Sequence, residues 1–212
     1  TLDQAADYEK QGLWPKPVLP KELWLWGMNN LGQLGLGNTT EYSSPVQLGA
    51  LTDWGSVTMG VGMSLSVKQD GSLWSWGKNT NGQLGDGTKT ATSSPAQVGA
   101  LTDWSVLSAG EEWVSAIKTD GTLWAWGYNN RGQIGDGTVT SRSSPVQVGA
   151  LTTWSVIGNG SDHVMAIKTD GTLWTWGRFN DGRLGHNNAV NYSSPVQVGA
   201  LTDWAFASGG NG

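Results

Sequence analysis

The stretch "GTLWAWGYNNRGQIGDGT", from Gly121 to Thr138, decides the fold because recognisable copies of it recur along the chain at a constant spacing. The "LWxWG" motif begins at Leu23, Leu73, Leu123 and Leu173, and "SSPVQ" or "SSPAQ" begins at Ser43, Ser93, Ser143 and Ser193. Every spacing is 50 residues, without an insertion or a deletion. Self-similarity at a fixed period of this length indicates a repeat architecture.

Each repeat contains about four short segments with the character of β-strands. The segment "VSAIKT" alternates and leads through Asp120-Gly121 into "TLWAWG", and a proline-led segment and a "WSVIG" segment complete the set. Asp-Gly between alternating segments predicts a two-residue type I′ hairpin turn, here and at the two equivalent positions. Four antiparallel strands per repeat predict an all-β fold, a β-propeller of about four 50-residue four-stranded blades.

The repeated tryptophans predict how neighbouring blades pack. In "LWAWG" the alternation of a strand places Trp124 and Trp126 on one face and Leu123 and Ala125 on the other. A blade is too thin to bury its faces alone, so we interpret the indoles as packing between blades. The same structural role is expected for the recurrent tryptophans of both strand types: Trp24, Trp26, Trp74, Trp76, Trp124, Trp126, Trp174 and Trp176, and Trp54, Trp104, Trp154 and Trp204.

The repeats resemble those of the regulator of chromosome condensation (RCC1) family. That family has an Asp-Gly, a "WG.N..GQLG.G" run and a proline-led strand, and "WGKNTNGQLGDG" from Trp76 and "WGYNNRGQIGDG" from Trp126 match closely. The resemblance covers roughly residues 22–212 and implies a β-propeller, most familiarly with seven blades. The histidine usual in the repeat is present only at His163, where the resemblance implies a structural role. The regular copies are most similar to the bacterial and bacteriophage members.

We predict a linker or degenerate strand over residues 1–21 and a propeller over 22–212, with repeats starting near residues 22, 72, 122 and 172. Two arrangements of the ends stay open. The two ends complete one blade, in a closed four-blade ring or in a larger ring formed between chains, or the chain is a piece of a longer protein with up to seven blades. Three prolines within residues 15–20 are unfavourable in a hydrogen-bonded strand, which favours the piece of a longer protein.

Composition excludes several classes of function. The chain has no cysteine, a net charge of -5 and no cluster of basic residues, so neither thiol chemistry nor general nucleic-acid binding is expected. No apolar run is long enough to span a membrane, so we expect no membrane insertion. The two histidines lie at different repeat positions, and the recurrent aspartates belong to turns. We therefore predict no enzymatic activity, no metal site and no cofactor.

Differences between the copies indicate a candidate binding surface. They concentrate in the loop after "WG", for example "YNNR" at residues 128–131, and in the stretch before "SSP", while the scaffold between them varies less. Divergent loops on a constant scaffold are typical of binding surfaces, although neutral drift gives the same pattern. The candidate binding residues are the aromatic and arginine side chains of these loops: Tyr128, Arg131, Arg142, Arg178, Phe179 and Tyr192.

These patterns predict a non-catalytic structural or binding propeller. Its expected partners are other protein chains, in an assembly or a homo-oligomer, or a surface glycan. A virion or an extracellular surface is the favoured location over the cytoplasm. The alternative is a regulatory propeller that resembles the family's guanine-nucleotide exchange factor and presents one rim to a small GTPase.

Overall fold

The computed structural model describes residues 21–210. The predicted linker or degenerate strand over 1–21 lies outside the described residues, except for Lys21. The described chain forms fourteen strands and one short 3-10 turn at Asn180–Gly182. The strands are β1 Trp24–Gly27, β2 Tyr42–Gln47, β3 Trp54–Gly60, β4 Met63–Lys68, β5 Leu73–Gly77, β6 Thr92–Gln97, β7 Trp104–Ala109, β8 Trp113–Lys118, β9 Leu123–Gly127, β10 Arg142–Gln147, β11 Trp154–Asn159, β12 His163–Lys168, β13 Leu173–Gly177 and β14 Tyr192–Gln197.

The strands form antiparallel sheets in chain order, which confirms the predicted propeller fold. Three sheets have four strands: the first blade β3–β6, the second blade β7–β10 and the third blade β11–β14. The sheet before them, β1–β2, has two strands among the described residues. Strands β3, β7 and β11 contact one another in succession, so they are the innermost strands of their blades.

The Asp-Gly turns differ from the predicted two-residue type I′ turn. Only the glycine has a positive φ, 81° at Gly71, whereas type I′ requires it at both central residues. The Gly71 amide donates to the Lys68 carbonyl at 3.0 Å, and the Lys68 amide donates to the Ser72 carbonyl at 2.9 Å. This is a three-residue turn closed by a glycine bulge. The Asp70 carboxylate favours it by accepting the Ser72 amide at 2.9 Å, a bond available without a positive φ at the aspartate.

The interior tryptophans lie between blades, where the alternation places them. The Trp126 side chain is fully buried in a cluster with Met63, Leu65 and Leu84 of the preceding blade. Trp104 packs on Trp126 edge to face, with ring centroids 5.9 Å apart. The equivalent clusters at the other two junctions are built around Trp54 with Trp76 and around Trp154 with Trp176. Trp74, Trp124 and Trp174 are half-buried at the edges of the same clusters.

Three tryptophans at the two ends of the described array are not buried, contrary to the prediction. Trp24 is 46% exposed, Trp26 59% and Trp204 39%. The described residues provide no preceding blade against which Trp24 and Trp26 could pack. The Trp204 amide donates to the Gly171 carbonyl at 3.2 Å, as Trp154 does to Gly121, so Trp204 lies where an innermost strand begins. No strand pairs with the segment that follows Trp204 within the described residues.

Candidate functional site: the loop rim

The predicted variable loops lie at one end of the blades, which we call the loop rim. It consists of the connections that leave the first and third strand of each four-stranded blade and the equivalent loop of β1–β2: residues 28–41, 61–62, 78–91, 110–112, 128–141, 160–162 and 178–191. The other connections form the opposite rim: residues 48–53, 69–72, 98–103, 119–122, 148–153, 169–172 and 198–203. All six candidate binding residues therefore lie on the loop rim or at its border.

A buried asparagine shapes each of the first three long loops. The Asn129 side chain is fully buried, and its amide nitrogen donates to the carbonyls of Thr138 and Thr140 at 3.2 and 3.0 Å. Its oxygen accepts the Ile134 amide at 2.9 Å. Asn29 and Asn79 make equivalent bonds in their loops. The "YNNR" segment is thus not freely variable throughout, because its second residue holds the loop together.

The following blade binds each of these loops through the indole of a tryptophan. The indole nitrogen of Trp126 donates to the carbonyl of Gln83 at 3.0 Å, and that of Trp176 donates to Gln133 at 2.9 Å. The loop fits closely under the indole: a Cβ at Gly135 would lie 2.6 Å from the Trp176 indole nitrogen. The variable loops therefore project from a frame of buried amides and indoles.

The second-blade candidates differ in exposure. Arg131 is exposed, and its side chain makes no hydrogen bond or ion pair among the described residues. Tyr128 is half-buried, and its amide donates to the Glu112 carbonyl at 2.9 Å. Arg142 makes an ion pair with Asp136 at 2.6 Å. Burial alone would raise the pKa of the Asp136 carboxyl, but hydrogen bonds from Thr138 and Arg142 outweigh it and hold the pKa below its usual value.

The third-blade candidates lie in a loop that departs from the common frame. Phe179 occupies the position of the buried asparagine and is only half-buried. Arg178 makes an ion pair with Asp162 at 3.1 Å. The Tyr192 hydroxyl accepts a hydrogen bond from Asn188 at 2.8 Å, and its ring meets the His186 ring edge to face. The structure thus divides the six residues between two neighbouring loops.

Contacts on the loop rim join neighbouring blades and pair two of its acidic residues with cations. Glu112 of the second blade pairs with Lys78 of the first, and its other oxygen accepts a bond from Asn81 at 2.6 Å. Asp162 of the third blade accepts a bond from Gln133 of the second at 3.4 Å and pairs with Arg178. A group of three histidine, cysteine or carboxylate side chains that could hold a metal does not occur within residues 21–210.

The position of the repeat's histidine lies at the start of the second strand of each blade. His163 is buried, its Nδ1 has no partner in the described part of the chain, and burial lowers the pKa of its imidazole. In the second blade Trp113 takes this position, and its indole nitrogen donates to the Ser161 carbonyl of the third blade at 2.9 Å. Trp113 thus joins two blades, a role that the sequence analysis did not assign to it.

The opposite rim carries features that sequence reasoning missed. Lys68, Lys118 and Lys168 are buried against indoles, and their 50-residue spacing was the available signal. Beside them lie three grooves between blades, with volumes of about 480, 300 and 270 Å³. Each groove is lined by residues at equivalent positions of the repeat. At the second junction the lining includes Leu101, Trp124 and Pro145.

Comparison with known proteins assigns the family. The family model described as the regulator of chromosome condensation (RCC1) repeat matches residues 22–67, 70–117, 120–167 and 170–212. This chain belongs to the RCC1 repeat family. The four matches cover most of the chain, and the RCC1 repeats coincide with the 50-residue copies. No curated protein matches the chain. None of the helices in the described residues has the length and apolar character needed to cross a membrane.

Solved structures of RCC1-type propellers share the fold. Human WBSCR16 superposes with a TM-score of 0.80 at 23% identity, over 91% of this chain and 52% of that protein. Yeast RCC1 (Prp20), solved with Kap60, gives 0.76 at 19% identity over 90% and 48%. Prp20p from Saccharomyces cerevisiae gives 0.71 at 20% identity over 85% and 48%. This chain therefore spans about half the length of the solved propellers.

Proposed function

We propose that this chain is a non-catalytic binding propeller that presents the variable residues of its loop rim to a partner protein or a surface glycan. One observation carries the proposal: in the first three loops the constant asparagine is fully buried and bonded, and the residue two positions on, which varies between copies, is exposed or half-buried. Asn129 is fully buried, whereas Arg131, two positions on, is exposed. A binding scaffold requires both kinds of residue: buried ones that hold the loop and exposed ones that can change without loss of the fold.

The chemistry of the exposed residues supports a macromolecular partner. Arginine and tyrosine side chains are enriched where proteins bind one another, and tyrosine also stacks on apolar faces. Arg131 is free to make such contacts, since its guanidinium has no partner in residues 21–210. Arg142 and Arg178 would contribute through the outer sides of their ion pairs, because both are about one-third exposed.

The setting that we propose is an assembly of protein chains on a virion or a cell surface. It rests on the regular, insertion-free repeats, a pattern that we interpret as typical of bacterial and bacteriophage members of the family. The structural relatives support a protein partner only by analogy of fold. Yeast Prp20 has been solved bound to Kap60, and Prp20p has binding properties to Gsp1p and histones.

A binding assay with two rim variants tests the proposal. The chain is immobilised and exposed to surface extract of the organism that encodes it, with one portion treated with protease and another with periodate. We expect Tyr128→Ser/Arg131→Ser to reduce the retained component about tenfold or more, because truncating a tyrosine or arginine that is a binding hot spot costs about 2 kcal/mol or more. The matched control, Leu101→Ser/Leu151→Ser on the opposite rim, should retain it.

The treatments identify the class of partner. Loss after protease indicates a protein, and loss after periodate indicates a glycan. Equal retention by the wild type and the loop-rim variant contradicts the proposal, and loss in the control alone moves the binding surface to the grooves of the opposite rim.

A regulatory role similar to that of an exchange factor is the second candidate, favoured by the fold shared with yeast RCC1 (Prp20). It predicts accelerated release of labelled GDP from a small GTPase, and loss of that acceleration in Tyr128→Ser/Arg131→Ser. Release rates measured with and without the chain decide between the two candidates.

A further inference from the structure

The lysine that ends the second strand of each blade lies against two indoles in all three blades. Lys118 lies over the rings of Trp104 and Trp124, with its Nζ 4.8 and 4.5 Å from their centroids. Lys68 lies in the same way over Trp54 and Trp74. Lys168 lies 5.1 Å from Trp154 and 3.5 Å from Trp174. Each lysine is thus held between two indoles at the opposite rim.

In the first two blades an aspartate completes this arrangement. Asp53 Oδ2 lies 3.1 Å from Lys68 Nζ, and Asp103 Oδ2 lies 3.3 Å from Lys118 Nζ. Both carboxylates are partly exposed, whereas the lysines are almost fully buried. Each carboxylate is therefore the direct partner of a buried lysine, with Oδ2 at the ammonium and Oδ1 buried without a hydrogen bond among the described residues.

The third blade has the lysine but lacks the carboxylate. Thr153 stands at the position of Asp103 and is exposed. The main chain is in the same place, since the Thr169 amide donates to the Thr153 carbonyl at 2.8 Å, as Thr119 does to Asp103. Lys168 is only 9% exposed, and its Nζ has no hydrogen bond or ion pair in the described residues. Burial against the indoles lowers the pKa of Lys168, and the charge of Asp170 offsets this only in part. Lys168 thus lacks the direct carboxylate contact that Lys68 and Lys118 have.

We propose that Lys168, between Trp154 and Trp174, is a binding site for a carboxylate supplied from outside the chain. The ligand's carboxylate takes the position that Asp53 and Asp103 hold in the other blades. The ligand is expected to be a carboxylate because the side chains of Asp53 and Asp103 are the groups that contact the equivalent lysines. The site lies on the opposite rim, so the inference stands independently of the proposed function of the loop rim.

The shared chemistry can come from a free small carboxylate or from an acidic side chain of a peptide. The probes are sodium acetate, titrated against sodium chloride at constant ionic strength, and the blocked peptides acetyl-Gly-Asp-Gly-amide and acetyl-Gly-Asn-Gly-amide. Binding is followed by the Cε–Hε signals of 13C-labelled lysine. We expect saturable shifts of the Lys168 signal with acetate or with the aspartate peptide, and none with chloride or the asparagine peptide.

Two variants form a matched pair that keeps the test specific. Thr153→Asp supplies the internal carboxylate, so the apparent affinity of Lys168 for the probe should fall about tenfold or more, because a tethered group competes at a high effective concentration. Asp103→Thr opens the second blade, so the Lys118 signal should begin to respond. Both residues already occur at this position in the chain, and amide spectra confirm that each variant is folded.

The result also separates the two sources. A response to acetate alone assigns the site to small carboxylates, and a response to the aspartate peptide alone assigns it to an acidic side chain of a partner. The inference is overturned if Lys168 responds to neither probe, responds equally to chloride, or responds unchanged in Thr153→Asp.

Discussion

The second and third blades have the same strands and inter-blade indoles, yet they differ at many other positions, and four of these differences change bonds around that frame. Asn129 corresponds to Phe179, Gln133 to Arg183, Trp113 to His163 and Asp103 to Thr153. In the second blade each of these residues makes a bond that holds a loop, a neighbouring blade or a buried lysine. The third blade keeps its fold without the same bonds, so these four bonds are not required for a blade to form.

The difference separates two kinds of residue. Those shared by both blades fill the space between sheets, and those that differ satisfy polar groups near the rims. Packing between blades should therefore carry more of the free energy of unfolding than the polar bonds do.

The largest effect is expected where the shared packing is removed. Trp126→Ala should lower the free energy of unfolding by about 3 to 5 kcal/mol, because it leaves a cavity between two sheets. Trp26→Ala changes the equivalent residue where it is exposed, and should cost less than about 1 kcal/mol. Chemical denaturation followed by near-ultraviolet circular dichroism measures both. Similar losses for the two variants would show that burial between blades does not set the difference.

The next effect concerns the loop asparagine. Asn129→Ala should cost about 1 to 3 kcal/mol, because it leaves the buried Ile134 amide and two partly exposed carbonyls without their partner. Phe179→Asn restores the asparagine in the third blade and should stabilise it by less than about 1 kcal/mol, the usual net value of hydrogen bonds gained. The same denaturation experiment applies. Destabilisation by Phe179→Asn would show that contacts of the phenylalanine side chain stabilise the loop of the third blade.

The third effect is a dependence on pH that distinguishes His163 from its counterparts. Above the ordinary pKa of 6.5 the imidazole is neutral in both states, and His163 adds no pH dependence. As the pH falls below 6.5 the unfolded chain takes up a proton, while burial keeps the folded imidazole neutral down to its lowered pKa. Stability is therefore lost through that window.

His163→Met, which introduces the residue found at Met63, should remove this contribution. Unfolding free energies at about pH 7.5 and about pH 5.5 should differ less for the variant than for the wild type. An unchanged difference would assign the pH dependence to other groups.

The smallest effect tests the lysine of the opposite rim. Thr153→Asp should stabilise the chain by up to about 1 kcal/mol, since the added carboxylate is partly exposed. Asp103→Thr should destabilise it by at least as much, because it leaves Lys118 buried without a carboxylate. Thermal unfolding measures the pair. Equal melting temperatures for both variants and the wild type would show that the indoles alone balance the charge.

The repeat period and strand alternation were sufficient to predict the propeller and the burial of the interior indoles. Both follow from local rules that act within one copy. The exposure of Trp24, Trp26 and Trp204 could not be predicted in this way, because burial depends on whether a neighbouring blade is present. The turn type was mispredicted, because Asp70 accepts a bond from the Ser72 amide that stabilises a longer turn.

The candidate site was predicted only in outline. Variation between copies located the loop rim, but it could not separate Arg131, which faces solvent, from Phe179, which replaces a frame residue. Asn129 was grouped with the variable residues of its loop. Asn29 and Asn79 occupy the same position in their repeats, so comparing the copies position by position would have identified the constant asparagine. The ion pairs of Arg142 and Arg178 depend on contacts between segments and are not visible in the repeat pattern.

The clamp that each blade places on the loop before it has a practical consequence for engineering. An inserted peptide between Asn129 and Gln133 would begin and end at residues fixed by bonds independent of its own sequence. The same attachment points recur at a 50-residue spacing in the first three long loops, at Asn29 and Gln33, at Asn79 and Gln83, and here. The chain is therefore suited to displaying several different peptides side by side at a constant pitch, each exchangeable without redesign of the others.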